Sequence, residues 1–259
     1  MTLLKRYSLL GDLFMAIKIA FWPTFKQTWA NPSLLFHPTA ISRIFMSHVW
    51  SVFGAGIDEN SGEVKRGLVT QHAHGVVLDV GAGYGHTAKY LDKTRVTKYV
   101  ALEPNVNMHD ELRRAADAAG FSEASGSFVL LSCGAEDTTS ILTSLGGYQP
   151  VNTIISILTL CSVPDPQDTI KSLATEVLKP GGQVLFCEHV RSPHPNIAWW
   201  QTFWTPLWGV AFDGCKLDRP THLWTQEVGG WEKEEVWGLD GEDEEHLFLH
   251  RLGRFVKAG

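Results

Sequence analysis

The sequence predicts an α/β domain built on a doubly wound, mostly parallel sheet. An aromatic-rich helical cap over residues 1–60 and a lid inserted at about residues 193–230 complete it. Three observations carry that prediction. Short apolar runs alternate with helical stretches through the middle of the chain, the pattern of strands joined by crossover helices. A glycine-rich turn closes the first apolar run. All 10 tryptophans lie outside residues 51–198, so a regular core is flanked by aromatic additions: Trp22, Trp29 and Trp50 precede it, and Trp199, Trp200, Trp204, Trp208, Trp224, Trp231 and Trp237 follow it.

The core elements follow in order. Val76-Val77-Leu78-Asp79-Val80 is uncharged except for one aspartate and ends at glycines, as a buried parallel strand should. A helix is expected from His86, then a strand over residues 99–102. Met108, Leu112, Ala115 and Ala119 give residues 107–119 a helical apolar face, and Gly120 stands where a helix C-terminus favours glycine. Further strands are expected at residues 128–131, 153–157 and 184–187, with a helix over 166–178 before the last of them. Lys179-Pro180-Gly181-Gly182 stops that helix, because proline disfavours helix in the residue before it and glycine supplies the reversed turn. The acidic, turn-rich stretch 238–245 reads as a solvated loop between two more strands. Right-handed crossovers place helices on both sheet faces, and ligands of such folds sit beyond the carboxyl ends of the strands.

Composition narrows the function. A chain of 259 residues with 44% hydrophobic side chains can bury a core without disulfides or a structural metal. The four cysteines, Cys133, Cys161, Cys187 and Cys215, form no Cys-x-x-Cys pair, which fits reduced thiols in a cytoplasmic setting and gives no metal signature. With 22 basic against 28 acidic residues the net charge is −6, and no Lys/Arg cluster offers a nucleic acid a footing. Gly11, Asp12 and Lys18 interrupt the apolar N-terminus short of the ~18–20 residues that a membrane span needs, and no small-x-small site suggests a cleaved leader. Residues 1–50 carry Lys5, Arg6, Lys18, Lys26 and Arg43 against Asp12, a charge of +4, beside Phe14, Phe21, Trp22, Phe25 and Trp29. Two readings stay open for this segment: a cap helix packed on its own domain, or a peripheral membrane contact through residues 1–36.

The turn Gly81-Ala82-Gly83-Tyr84-Gly85 lets backbone approach a ligand without Cβ clashes. His86 stands where a dinucleotide fingerprint wants glycine or alanine. Glu103 ends the next strand, 18 residues after Gly85, where a carboxylate can accept hydrogen bonds from both hydroxyls of a ribose.

The Gly-x-Gly-x-Gly turn, the acid at the second strand end and the Lys-Pro-Gly-Gly turn together resemble the class I S-adenosylmethionine methyltransferases. The resemblance implies a seven-stranded Rossmann-like sheet with S-adenosylmethionine as cofactor. The glycine turn after Asp79 would face the methionine part, and Glu103, followed by Pro104 and Asn105, would hold the ribose. Cys133-Gly134-Ala135-Glu136 would flank the adenine, and Ser156-Ile157-Leu158 would line the methionine end. Leu158-Thr159-Leu160-Cys161-Ser162-Val163, Glu188-His189-Val190 and Asp213-Gly214-Cys215-Lys216-Leu217-Asp218-Arg219 resemble a narrower group, the methyltransferase-like seven thiol S-methyltransferases. The chain departs from that group at its interrupted N-terminus and in the acidic, tryptophan-rich stretch 224–245.

Methyl transfer from a sulfonium needs an aligned nucleophile, excluded water and, for a neutral acceptor, a base. His189 is the first candidate base, since it titrates near neutrality and follows the fifth strand at the ligand-facing edge. Asp213 is the second. Cys161 and Cys215 are expected to line the acceptor pocket rather than to act as nucleophiles. Trp200, Trp204 and Trp208 share one helix face and are expected to overhang the pocket mouth. The resulting expectation is S-adenosylmethionine-dependent methylation of a small lipophilic acceptor, with sulfur favoured by the resemblance and oxygen or nitrogen of a secondary metabolite next. The alternative is a cofactor-binding cyclase or isomerase that does not methylate.

Overall fold

The structure is a computed structural model that describes residues 3–259. Two long helices, α1 (Leu9–Ala30) and α2 (Pro38–Asn60), form an antiparallel hairpin ahead of the sheet. The core then runs β1 (Gly75–Val80), β2 (Val96–Leu102), α3 (His109–Ala118), β3 (Phe128–Leu131), α4 (Thr138–Leu145), β4 (Val151–Ile157), α5 (Pro166–Ser172) and β5 (Leu178–Val190). After it come α6 (Pro195–Ala211), α7 (Thr221–Glu227), β6 (Trp231–Trp237) and β7 (Leu249–Lys257). The sheet has seven strands in the order β3-β2-β1-β4-β5-β7-β6. The first five are parallel, and β7 runs antiparallel to both β5 and β6.

Strand periodicity sorts the core into two layers. Val77, Tyr99, Ala101, Leu185 and Cys187 point to one face, where Leu68, Leu112 and Phe121 cover them. Leu78, Val80, Val100, Leu102, Val184 and Phe186 point to the other, against Ile141, Ile170, Leu173 and Phe255. A third cluster joins α1, α2 and α6 through Leu9, Ala16, Ala20, Val49, Trp204, Trp208 and Leu217.

One sequence expectation needs correction. The helix expected from His86 is a series of turns with one short 3-10 segment, Ala88–Tyr90. Three glycines at positive φ (Gly81, Gly83, Gly85) precede it, and a turn closed from Arg95 N to Asp92 O follows it, so no room is left for a helix. The helix expected over 166–178 is present, as α5 continued by a π-helical turn, Leu173–Val177. The Lys-Pro-Gly-Gly segment belongs to the start of β5, where the register with β4 shifts.

Candidate functional site

Beyond the carboxyl ends of β1, β2 and β4 lies a cavity of about 580 Å³. Its floor is the turn after β1. Gly81 has φ +66°, and a Cβ there would overlap the Thr159 side chain. Gly83 N donates to Glu103 Oε2 at 2.7 Å, and Asn105 N donates to Oε1 at 2.7 Å. Burial pushes the Glu103 carboxyl up to about 7, against the pull of those two amides. Each carboxylate oxygen keeps further acceptor capacity for a ligand hydroxyl. Asn105 Nδ2 also donates to Arg43 O at 2.8 Å, pinning α2 over the cavity. The roof is therefore Pro38, Thr39, Ser42, Arg43, Met46 and Trp50, a contribution that nothing in the local sequence of α2 announces.

Gly81, Gly83, Glu103, Pro104, Asn105, Gly134, Ala135, Glu136, Ile157 and Leu158 line this cavity. Asp79, Ala82, Tyr84, Gly85 and Ser156, named with them from the sequence, do not. The buried Asp79 accepts from Tyr99 Oη at 2.8 Å, and burial raises its carboxyl to about 6. Ala82 is packed in the core, and Tyr84 Oη donates to Ser47 O on α2. Gly85 has φ +78°, and a Cβ there would sit 2.8 Å from Leu112 Cδ1 on α3. Gly81→Ala should weaken cofactor binding about tenfold or more, through strain at positive φ and displacement of Thr159, as titration calorimetry would show.

A second cavity of about 510 Å³ adjoins the first, sharing Met46, Trp50, Ile157, Leu158, Ser162 and Phe212. Its walls are largely apolar, with Val49, Phe53, Trp208 and Phe248 among them. Cys161, His189 and Cys215 meet here. Cys215 Sγ lies 3.4 Å from Cys161 Sγ and 3.3 Å from His189 Nε2, and His189 Nδ1 is buried without a hydrogen-bond partner. The contact with Cys215 and burial hold the Cys161 thiol well above its ordinary range. Burial pushes the His189 imidazole down, but the Cys161 sulfur and the Glu188 carboxylate together oppose it and the net direction is up. Cys161 and Cys215 are 54 residues apart, so a metal-ligand signature was invisible in the sequence although the fold unites them.

Three expected site residues fall elsewhere. Asp213, expected with His189 at the methyl end, lines the first cavity and not the second. It sits at φ +47°, and burial raises its carboxyl while Arg43 opposes the rise. Of the three tryptophans expected over the pocket mouth, Trp208 alone lines either cavity. Trp200 and Trp204 pack on Tyr7 at ring separations of 5.7 and 6.1 Å, and Trp204 Nε1 donates to Arg6 O at 2.8 Å. The N-terminal segment has claimed that part of the face.

Glu188 is the functional residue that sequence reasoning left without a role. Fully buried, it accepts from Ser156 Oγ at 2.7 Å, from Thr159 N at 3.0 Å and from Leu160 N at 3.3 Å. These bonds hold the turn after β4, where Leu158 takes φ +55°, at the junction of the two cavities. The signal was its place beside His189 on β5, which predicts depth but not partners.

Residues 56–228 match the family model described as a methyltransferase domain. Over 72 residues, 27% of this chain, the sequence is 38% identical to the thiol S-methyltransferase TMT1B of Homo sapiens, and the chain spans only 29% of that relative's length. An O-methyltransferase family protein from Burkholderia thailandensis superposes with a TM-score of 0.62 at 12% identity, over 92% of this chain and 71% of that one. A geranyl diphosphate methyltransferase in complex with its cofactor superposes at 0.56 and 12% identity, over 78% and 85% of the two chains. Strand order, glycine turn and family match agree: the chain belongs to the methyltransferase-domain family, within the class I fold whose cofactor is S-adenosylmethionine.

Proposed function

We propose that the protein transfers the sulfonium methyl of S-adenosylmethionine to a small lipophilic acceptor, a thiol in the first instance. The observation that carries this reading is the junction of the two cavities. A chamber with a bare glycine turn and a ribose-ready carboxylate shares a wall with an apolar chamber lined by His189 and two thiols. The transfer is an in-line displacement, so holding acceptor and methyl carbon in line in a water-poor chamber supplies most of the catalysis. The acceptor would lose its proton at His189. Similarity to TMT1B favours sulfur over oxygen or nitrogen. The test is incubation with S-adenosylmethionine and a panel of apolar thiols, phenols and amines, with S-adenosylhomocysteine quantified by mass spectrometry. Thiols should react fastest. Tight cofactor binding with no turnover on any acceptor would favour the cyclase or isomerase reading.

A membrane-surface location fits the N-terminal helix. Helix α1 buries Leu9, Ala16, Ala20 and Thr24 but exposes Phe14, Phe21, Trp22, Phe25 and Trp29, with Lys18 and Lys26 among them. No helix among the described residues is long and apolar enough to cross a membrane. Anionic liposomes should co-sediment the protein, and the triple change Trp22→Ser, Phe25→Ser, Trp29→Ser should abolish that with the fold intact. Equal sedimentation of the variant would leave α1 as a cap alone.

A further inference from the structure

Cys161, His189 and Cys215 come from three separate segments: the turn after β4, the end of β5 and the loop after α6. All three are buried, and their sulfur and nitrogen atoms lie within 4.8 Å of one another. Tetrahedral zinc takes thiolate sulfur at about 2.3 Å and imidazole nitrogen at about 2.0–2.1 Å, which sets sulfur–sulfur and sulfur–nitrogen separations near 3.8 and 3.6 Å. The separations present, 3.4 and 3.3 Å, are a few tenths of an ångström short of those, within the adjustment of a side-chain torsion. Charge also fits. Two thiolates and a neutral imidazole balance a divalent cation, so the filled trio would put no net charge into an apolar wall. Two sulfurs and one imidazole form the donor set that zinc uses where a fourth position stays open, and here the trio lines the second cavity.

We propose that Cys161, Cys215 and His189 form a Zn²⁺ site whose fourth position faces the second cavity and takes the acceptor as a thiolate. The acceptor half rests on reading that cavity as the acceptor pocket; the metal half does not. On coordination the thiol releases its proton to solvent. Its sulfur then attacks the sulfonium methyl carbon and forms the new C–S bond. The old C–S bond breaks with its electron pair passing to S-adenosylhomocysteine, and the neutral thioether, a weaker ligand, departs. In this form His189 is a ligand and removes no proton itself. A cation there also explains why two thiols and an imidazole crowd one apolar wall when an aliphatic side chain would pack better.

The full chain, freed of metal with a chelator under reducing conditions, is titrated with Zn²⁺ against a chromophoric chelator and, separately, with Co²⁺. One equivalent of Zn²⁺ should bind with submicromolar affinity. Co²⁺ should give visible bands of a tetrahedral ion and near-ultraviolet thiolate-to-metal absorption. Cys161→Ser and Cys215→Ser should each lower zinc affinity more than about 100-fold, while Cys133→Ser, outside the trio, should not. If the serine variants fail to fold, the parent's Co²⁺ spectrum still decides. No thiolate-to-cobalt absorption overturns the site. Bands that no apolar thiol perturbs overturn the acceptor step and leave the metal site standing. A metal-free protein that still methylates thiols overturns the acceptor step but upholds the proposed function.

Discussion

Glu103→Gln should weaken S-adenosylmethionine binding by at least about 100-fold and remove most of its pH dependence. The size follows from losing a charged acceptor for two ribose hydroxyls, about 1.5–3 kcal/mol for each hydrogen bond. Glutamine keeps the shape but turns an amide NH₂ toward either the Gly83 or the Asn105 N–H. The sign of the pH effect comes from the carboxyl's folded value of about 7 against an ordinary 4.5. Between those values the cofactor-free folded protein keeps a proton that the unfolded chain has lost. This group's contribution to stability is therefore largest below about 4.5 and declines as pH rises toward 7. Cofactor hydroxyls stabilise the ionised form, so binding below pH 7 must expel the proton. Affinity should fall as pH drops from 8 to 6, approaching tenfold per unit at the acid end. Calorimetry in buffers of different ionisation enthalpy should register that proton. A Glu103→Gln protein with unchanged affinity would show that the nucleoside lies elsewhere.

What was legible in the sequence was whatever local pattern specifies. Strands such as β1 announce themselves as short apolar runs ended by glycine, and Glu103 is placed by its distance from that glycine turn. Pairings across long separations were not legible. His189 meets Cys215 across 26 residues, and Glu188 reaches Ser156 across 32. Both pairs depend on the β4–β5 register and on how α6 returns to the sheet. Trp200 and Trp204 show the limit from the other side. Helical spacing put them correctly on one face, but the partner of that face is Arg6 and Tyr7, nearly two hundred residues earlier. The cap roofing the first cavity is the same kind of fact, since the bond from Asn105 to Arg43 O that ties α2 to the end of β2 spans 62 residues.

His189→Ala should reduce turnover by about 10²–10⁴-fold and leave S-adenosylmethionine affinity within about twofold. The separation is expected because His189 lines the second cavity and not the first, while Glu103 and the glycine turn lie in the first. Truncation does open space beside Phe248, whose ring is 5.3 Å from the imidazole, so stability should be followed by thermal melting in parallel. His189→Gln guards against that objection. It keeps polar bulk and offers an amide nitrogen toward Cys215, yet it can neither take up a proton nor bind a metal as an imidazole does, and on either role of His189 it should show the same loss. Single-turnover measurement of S-adenosylhomocysteine with saturating cofactor isolates the methyl step from product release. Asp213→Asn should behave in the opposite sense, disturbing cofactor affinity more than the methyl step, since Asp213 faces the first cavity and helps to raise Glu103. If His189→Gln retained full turnover while Asp213→Asn lost it, the proton would leave from the first cavity, and the acceptor would have to enter between α2 and Asp213.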